Sequence, residues 1–131
     1  MQRIFVGNLG VVLIIDDSKM ARRVVADILS GMGVDSIHAS NGQEGLDILA
    51  SRDDIDLVLS DVHMPVIDGL EFLESVKLLN RSKPVPIVML TNESDPIYQM
   101  EAKKLGAKGW VPKPADAEAI QKVYARLVST P

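Results

Sequence analysis

The sequence predicts an α/β protein, a single (βα)5 domain with a doubly wound parallel sheet. Three observations carry this expectation. Short runs rich in β-branched residues alternate with longer amphipathic stretches, as repeated βα units require. Three of the runs, VVLII (Val11–Ile15), IDLVLS (Ile55–Ser60) and VPIVML (85–90), lack polar alternation, as strands covered on both faces should. A chain of 131 residues, 47% hydrophobic and 24% charged, suits one domain with a sizeable core.

In order, the first strand is Val11–Ile15, followed by a helix over 18–30. That helix is expected to bury Met20, Val24, Ile28 and Val25 and to stop at Gly31 and Gly33. A strand at 36–39 leads to a helix at 41–50 carrying Leu46, Ile48 and Leu49. The third strand, Ile55–Ser60, leads to a helix at 68–79, capped by Asp68 and carrying Leu70, Leu73, Val76 and Leu79. After the fourth strand, a helix at 94–105 starts with Pro96 in its first turn, where proline is tolerated, and ends at Gly106. The fifth strand, 108–111, precedes a helix at 115–128 carrying Ile120, Val123, Tyr124 and Leu127. Right-handed crossovers then put helices on both faces of the sheet. The domain spans 11–128 and residues 1–10 form an N-terminal extension. No second domain is expected behind the last helix.

Composition narrows the function classes. Without cysteine there is no disulfide framework, thiolate metal site or thiol nucleophile. No apolar run approaches the ~20 residues of a membrane span, and no secretory leader is evident, so no membrane partner and a cytoplasmic location are expected. A net charge of −4 argues against direct nucleic-acid binding. Arg3-Ile4-Phe5-Val6-Gly7-Asn8-Leu9 reads like the shorter strand motif of an RNA-recognition module. The basic, aromatic-rich partner strand such a module needs is missing from the sequence.

Four stretches place acid, hydroxyl and amine groups where apolar runs give out into loops. They are Ile14-Ile15-Asp16-Asp17-Ser18, Leu59-Ser60-Asp61-Val62-His63-Met64-Pro65, Met89-Leu90-Thr91-Asn92 and Trp110-Val111-Pro112-Lys113-Pro114. In a parallel sheet all four open at the carboxyl-end rim, where open α/β sheets bind ligands. Three carboxylates facing one ammonium and one hydroxyl suit a divalent cation and a phosphoryl group. Crowded carboxylates repel, and one tends to protonate unless a cation joins them; Mg²⁺ favours such oxygen ligands. A carboxylate can also attack a phosphoryl group and form an aspartyl phosphate. Taken singly, each residue has a plainer role: a solvated turn for Asp16-Asp17, a strand-end cap for Thr91, a surface cation for Lys113. Their common spacing sets those aside. For Trp110 a simple rim position, and for His63 an ordinary exposed loop histidine, stay open.

These residues resemble the receiver domain of two-component response regulators, specifically the stand-alone chemotaxis-regulator type, over about residues 11–128. The match rests on Asp16-Asp17, on Asp61 followed by Met64-Pro65 and Asp68-Gly69, on Thr91, and on Lys113-Pro114. Spacings of 44 from Asp17 to Asp61, 30 on to Thr91 and 22 on to Lys113 fit the family. The resemblance implies a flavodoxin-like strand order 2-1-3-4-5 and a cis Lys113-Pro114 bond. It implies that Asp61 is the phosphoacceptor, with Mg²⁺ held directly by Asp17, Asp61 and the His63 backbone carbonyl, and by Asp16 mainly through water. Thr91 and Lys113 would contact the phosphoryl oxygens, and Thr91 and Trp110 would form the switch. Trp110 stands where the family usually has Tyr or Phe, and Asn92 where a small residue is usual.

The implied function is a phosphorylation-dependent signalling switch. A sensor histidine kinase or phosphotransfer protein supplies the phosphoryl group. A downstream protein docks on the face made by the fourth helix, fifth strand and fifth helix. Such a chain is no enzyme beyond catalysing its own phosphorylation and dephosphorylation. The rival reading is a small-molecule phosphohydrolase or phosphotransferase with an Asp nucleophile. Asp16 and Asp17 are adjacent rather than Asp-x-Asp, and no insertion is long enough for a substrate cap, which weighs against it.

Overall fold

The computed structural model describes residues 10–128. Of the expected extension only Gly10 falls inside that range, so the reading of residues 1–9 lies outside the described residues. The elements are β1 (Val11–Ile15), α1 (Lys19–Gly31), β2 (Asp35–Ala39), α2 (Gly42–Ser51) and β3 (Ile55–Ser60), then α3 (Gly69–Val76), β4 (Ile87–Thr91), α4 (Pro96–Lys104), β5 (Gly109–Pro112) and α5 (Ala117–Val128). All four strand pairings are parallel, in the order β2-β1-β3-β4-β5. The (βα)5 doubly wound sheet is therefore present as expected.

Both faces of the sheet are covered, which explains strands that are apolar at every position. Leu13, Ile15, Val58 and Met89 pack on one side with Leu49 of α2 and Phe72 of α3. Val12, Ile14, Leu57 and Val88 pack on the other with Leu29 of α1 and Ile120 of α5. Successive side chains of a strand point to opposite faces, so β1, β3 and β4 each supply both cores.

Boundaries move by one to three residues, for identifiable reasons. Ser18, Asn41 and Asp68 are caps rather than helical residues, each accepting the backbone N–H three positions on. Asp95 caps α4 by accepting from Ile97, and Asp116 accepts from Ala119 at the start of α5. The fourth strand starts at Ile87 because Pro86 has no N–H to give, although its carbonyl still accepts from Val58 at 3.0 Å. α3 ends at Val76, and the chain turns so that Leu78 is 86% exposed.

One expectation about α1 is overturned. Met20 is 77% and Val24 48% exposed, whereas Val25 and Leu29 are buried. The buried stripe runs through Val25 and Leu29, at i and i+4, one residue further round the helix than the periodicity suggested. Gly31 is the last helical residue, and of the two glycines expected to stop the helix it is Gly33 that closes it. Gly33 has φ +79° and donates to Ser30, while Val34 donates to Leu29, a closure that requires a left-handed residue at Gly33.

Candidate functional site

Four adjacent strands deliver the site residues to one rim. β1 hands over to Asp16, whose N–H still donates to Ala39 of β2 at 3.1 Å. β3 hands over to Asp61, whose N–H donates to the Ile15 carbonyl at 3.0 Å. Thr91 closes β4, and its carbonyl accepts the Lys113 N–H at 3.0 Å. The backbone around Asp61 is tightly supported. The Ser60 hydroxyl donates to the Asp61 carbonyl at 2.9 Å, and Gly69 donates to the Val62 carbonyl at 2.6 Å. A Cβ on Gly69 would lie 2.4 Å from the Asp61 carbonyl oxygen, so only glycine lets α3 start this close. Asp68 and Glu71 form a reciprocal capping box that sets the same helix start.

Lys113 is the centre of the cluster. Its ammonium donates to Asp16 Oδ2 and, at 2.8 Å, to Asp61 Oδ2. Asp61 Oδ1 accepts the Val62 N–H at 2.7 Å. Burial pushes the Asp61 carboxyl up, but hydrogen bonds from Lys113 and the Thr91 hydroxyl outweigh it and hold the group below the usual carboxylate value. Burial likewise pulls Lys113 down, and its bonds to Asp16 and Asp61 more than restore it, so its amine is raised. The cluster is thus one ammonium bonded to two carboxyl groups. The Lys113-Pro114 peptide is cis, as the resemblance implied.

The remaining candidates are distributed unevenly. Asp16 is buried, with its Oδ1 accepting the Ser18 N–H and its carbonyl accepting from Arg22 Nη1 at 2.6 Å. Asp17 is exposed at the rim. Among the described residues no three His, Cys, Asp or Glu side chains are gathered as a metal site; the Lys113 ammonium stands between Asp16 and Asp61 instead. Trp110 is half-buried between α4 and β5, in a cleft with Gln99, Ala102 and Lys103, on the side of the sheet that holds α4. His63 is not a free loop histidine. Its Nε2 is hydrogen-bonded to Glu93 at 2.6 Å, and its ring meets Tyr98 edge-on, with centroids 5.0 Å apart. Sequence reasoning missed Glu93 and Tyr98, for which a polar residue two beyond Thr91 was the only signal. It also missed the cavity of about 240 Å³ between α1 and the Lys113 loop, floored by Ile14, Leu59 and Leu90.

The response regulator receiver domain family matches residues 12–125. The chain belongs to that family. It is a phosphorylation-dependent signalling switch, and the small-molecule phosphohydrolase reading has no support from any of these matches. As a receiver domain it resembles chemotaxis regulators. The solved structure of Vibrio cholerae chemotaxis protein CheY4 is 36% identical, with TM-score 0.82, covering 90% of this chain and 98% of that one. The sensor histidine kinase CheAY of Helicobacter pylori (strain ATCC 700392 / 26695) is 32% identical over 119 residues, 90% of this chain. The chain spans 15% of that kinase's length. The receiver domain of sensor histidine kinase PA1611 from Pseudomonas aeruginosa PAO1, solved with a magnesium ion in its active site cleft, shares the fold. Its TM-score is 0.83 at 19% identity, covering 92% of this chain and 98% of that one. Receiver domains interact with histidine kinases and with downstream targets. No helix among the described residues is long and apolar enough to cross a membrane.

Proposed function

We propose that this receiver takes a phosphoryl group onto Asp61 from the phosphohistidine of a sensor histidine kinase or phosphotransfer protein. The observation that carries the reading is the Lys113 ammonium shared by Asp16 and Asp61, at the rim where Thr91 ends β4. An Asp61 oxygen attacks phosphorus, the bond from phosphorus to the donor imidazole nitrogen breaks, and that nitrogen keeps the electron pair and takes a proton. Hydrolysis reverses the load: water oxygen bonds phosphorus and the Asp61 carboxylate leaves. In both steps the protein mainly positions groups and balances charge. Lys113, already on Asp61, and Thr91, at the same rim, are placed to take phosphoryl oxygens. This chemistry on its own acceptor is all the catalysis the reading assigns.

The donor set also fits Mg²⁺. Asp16, Asp17, Asp61 and the His63 carbonyl are hard oxygen donors, and the buried Asp16 and half-buried Asp61 carboxyls share one ammonium. Those four groups would hold the ion, Asp16 mainly through water, and when bound it shields the charge of the incoming phosphoryl group. Thr91 and Trp110 then report the change, and a protein target reads it on the α4-β5-α5 face, where Ile97 and Met100 are exposed. The same reading places the chain in the cytoplasm, beside such kinases. The test is label transfer from radiolabelled acetyl phosphate in Mg²⁺: wild type takes up about one phosphate per chain, and Asp61→Asn takes up none. Equal labelling of the two would refute the assignment.

A further inference from the structure

We propose that the His63 side chain is a positioning residue that ties the acceptor loop to the first turn of α4, carrying displacement at Asp61 to the α4 surface. The inference rests on the reading of Asp61 as phosphoacceptor and adds a route by which its state leaves the site.

A continuous set of contacts defines the route. The Glu93 N–H donates to Thr91 Oγ1 at 3.1 Å, so Glu93 is fastened to the hydroxyl that ends β4 at the acceptor rim. Glu93 Oε2 accepts the Asp95 N–H at 2.7 Å, and Asp95 in turn caps α4 through Ile97 at 3.0 Å. Glu93 Oε1 is left for His63, which reaches it from the acceptor loop across 30 positions of sequence. The opposite constraint on the imidazole is the Tyr98 ring of α4, 76° from coplanar. His63 is thus held at two points, a polar one on Glu93 of the β4–α4 loop and an aromatic one on Tyr98 of α4, while its own backbone follows Asp61 by two residues.

The pair is poorly suited to a purely stabilising role. The His63 side chain is 54% exposed, and a single hydrogen bond open to water on that side adds only about 1 kcal/mol to stability. What the contacts supply is geometry. A carboxylate anchored at one oxygen by the Asp95 N–H cannot follow His63 freely. A shift of the acceptor loop must therefore move the β4–α4 loop, turn Tyr98, or break the bond. Thr91 pulls on the start of that loop; His63 pulls on Glu93 within it and on the helix itself through Tyr98.

The experiment uses the full chain labelled with ¹⁵N and titrated to saturation with beryllofluoride and Mg²⁺, reading amide shifts at two places. Val62 reports occupancy of Asp61, and Ile97 to Met100 report α4. Wild type should move both. Tyr98→Leu and Glu93→Ala should keep the Val62 shift and lose at least about half of the α4 shift. His63→Ala, compared at saturation, should lose as much, and His63→Ala with Tyr98→Leu should lose no more than the larger single loss. Recovery of part of the α4 shift by His63→Phe, which keeps a ring against Tyr98, would support the aromatic arm. Full α4 shifts in His63→Ala, or losses that add in the double variant, would overturn the proposal. So would a His63→Ala chain with no Val62 response, which would make the residue part of the acceptor site. A wild type silent at Val62 would instead overturn the reading of Asp61 itself, and this inference with it.

Discussion

Replacing Lys113 with methionine removes one charge while keeping the apolar stem that packs at the rim. The side chains concerned are mostly enclosed: Lys113 is 16%, Asp61 14% and Asp16 7% exposed. This places the cluster in the regime of buried ion pairs, where removing one partner costs about 3–5 kcal/mol. The site has an escape, which is to bind a proton. For a carboxyl of ordinary value 3.8, protonation costs about 4 kcal/mol at about pH 7 and about 1 kcal/mol at about pH 4.5. Lys113→Met in chelator should therefore lose about 3 kcal/mol near neutral pH. For a domain of this size that is a fall in Tm of about 10 °C. The deficit should shrink to about 3 °C at about pH 4.5. It should also narrow when Mg²⁺ is added at neutral pH, because a divalent cation can replace the missing ammonium and stabilise the folded chain by mass action. Calorimetry at the two pH values, in chelator and in Mg²⁺, measures all of this. A variant within about 2 °C of wild type in chelator, or a deficit independent of pH, would refute the argument that Lys113 neutralises two enclosed carboxylates.

Other perturbations test separate links. Because the Asp61 carboxyl is held below its usual value, its contribution to stability is present above about pH 4 and is lost as pH falls through the folded-state value; Asp61→Asn should show a shallower loss of Tm in acid than wild type. The raised Lys113 amine gives the mirror case, full stabilisation below its usual 10.5 and loss as pH climbs beyond it, a loss that Lys113→Met should lack. Val66, 74% exposed with φ +70°, is a β-branched residue in the left-handed region, so Val66→Gly should raise stability by about 1 kcal/mol by denaturant titration; an unchanged or lower midpoint would show that this turn is not strained. The revised face of α1 predicts that Leu29→Ala costs about 2–5 kcal/mol and Met20→Ala under about 0.5 kcal/mol; equal costs would restore the face expected from periodicity.

Much of the site was legible because its parts are local. An apolar run that gives out into Asp16-Asp17, Asp61, Thr91 or Lys113 announces a strand end and the group it carries. Parallel strands then bring those ends to one rim, whatever the side chains do next. Caps such as Asp68 and stops such as Gly106 act within a few residues and could be read the same way, to within the width of a cap.

What the tertiary structure alone decided is which groups pair. Asp16 rather than Asp17 faces the ammonium because β1 is still bonded to β2 at Asp16, which turns the next side chain out to the rim. The buried stripe of α1 was settled one residue round the helix, because rotation about the helix axis depends on the sheet it meets; Val25 and Leu29 meet it, Met20 and Val24 do not. His63 found Glu93 and Tyr98 only through the fold, since the acceptor loop and α4 are neighbours in space and not in the chain. Periodicity and turn chemistry are properties of a few consecutive residues, so the sequence determined the strands, the helices and the rim. Pairing energies depend on distances between residues far apart in the chain, and only the assembled sheet sets those distances.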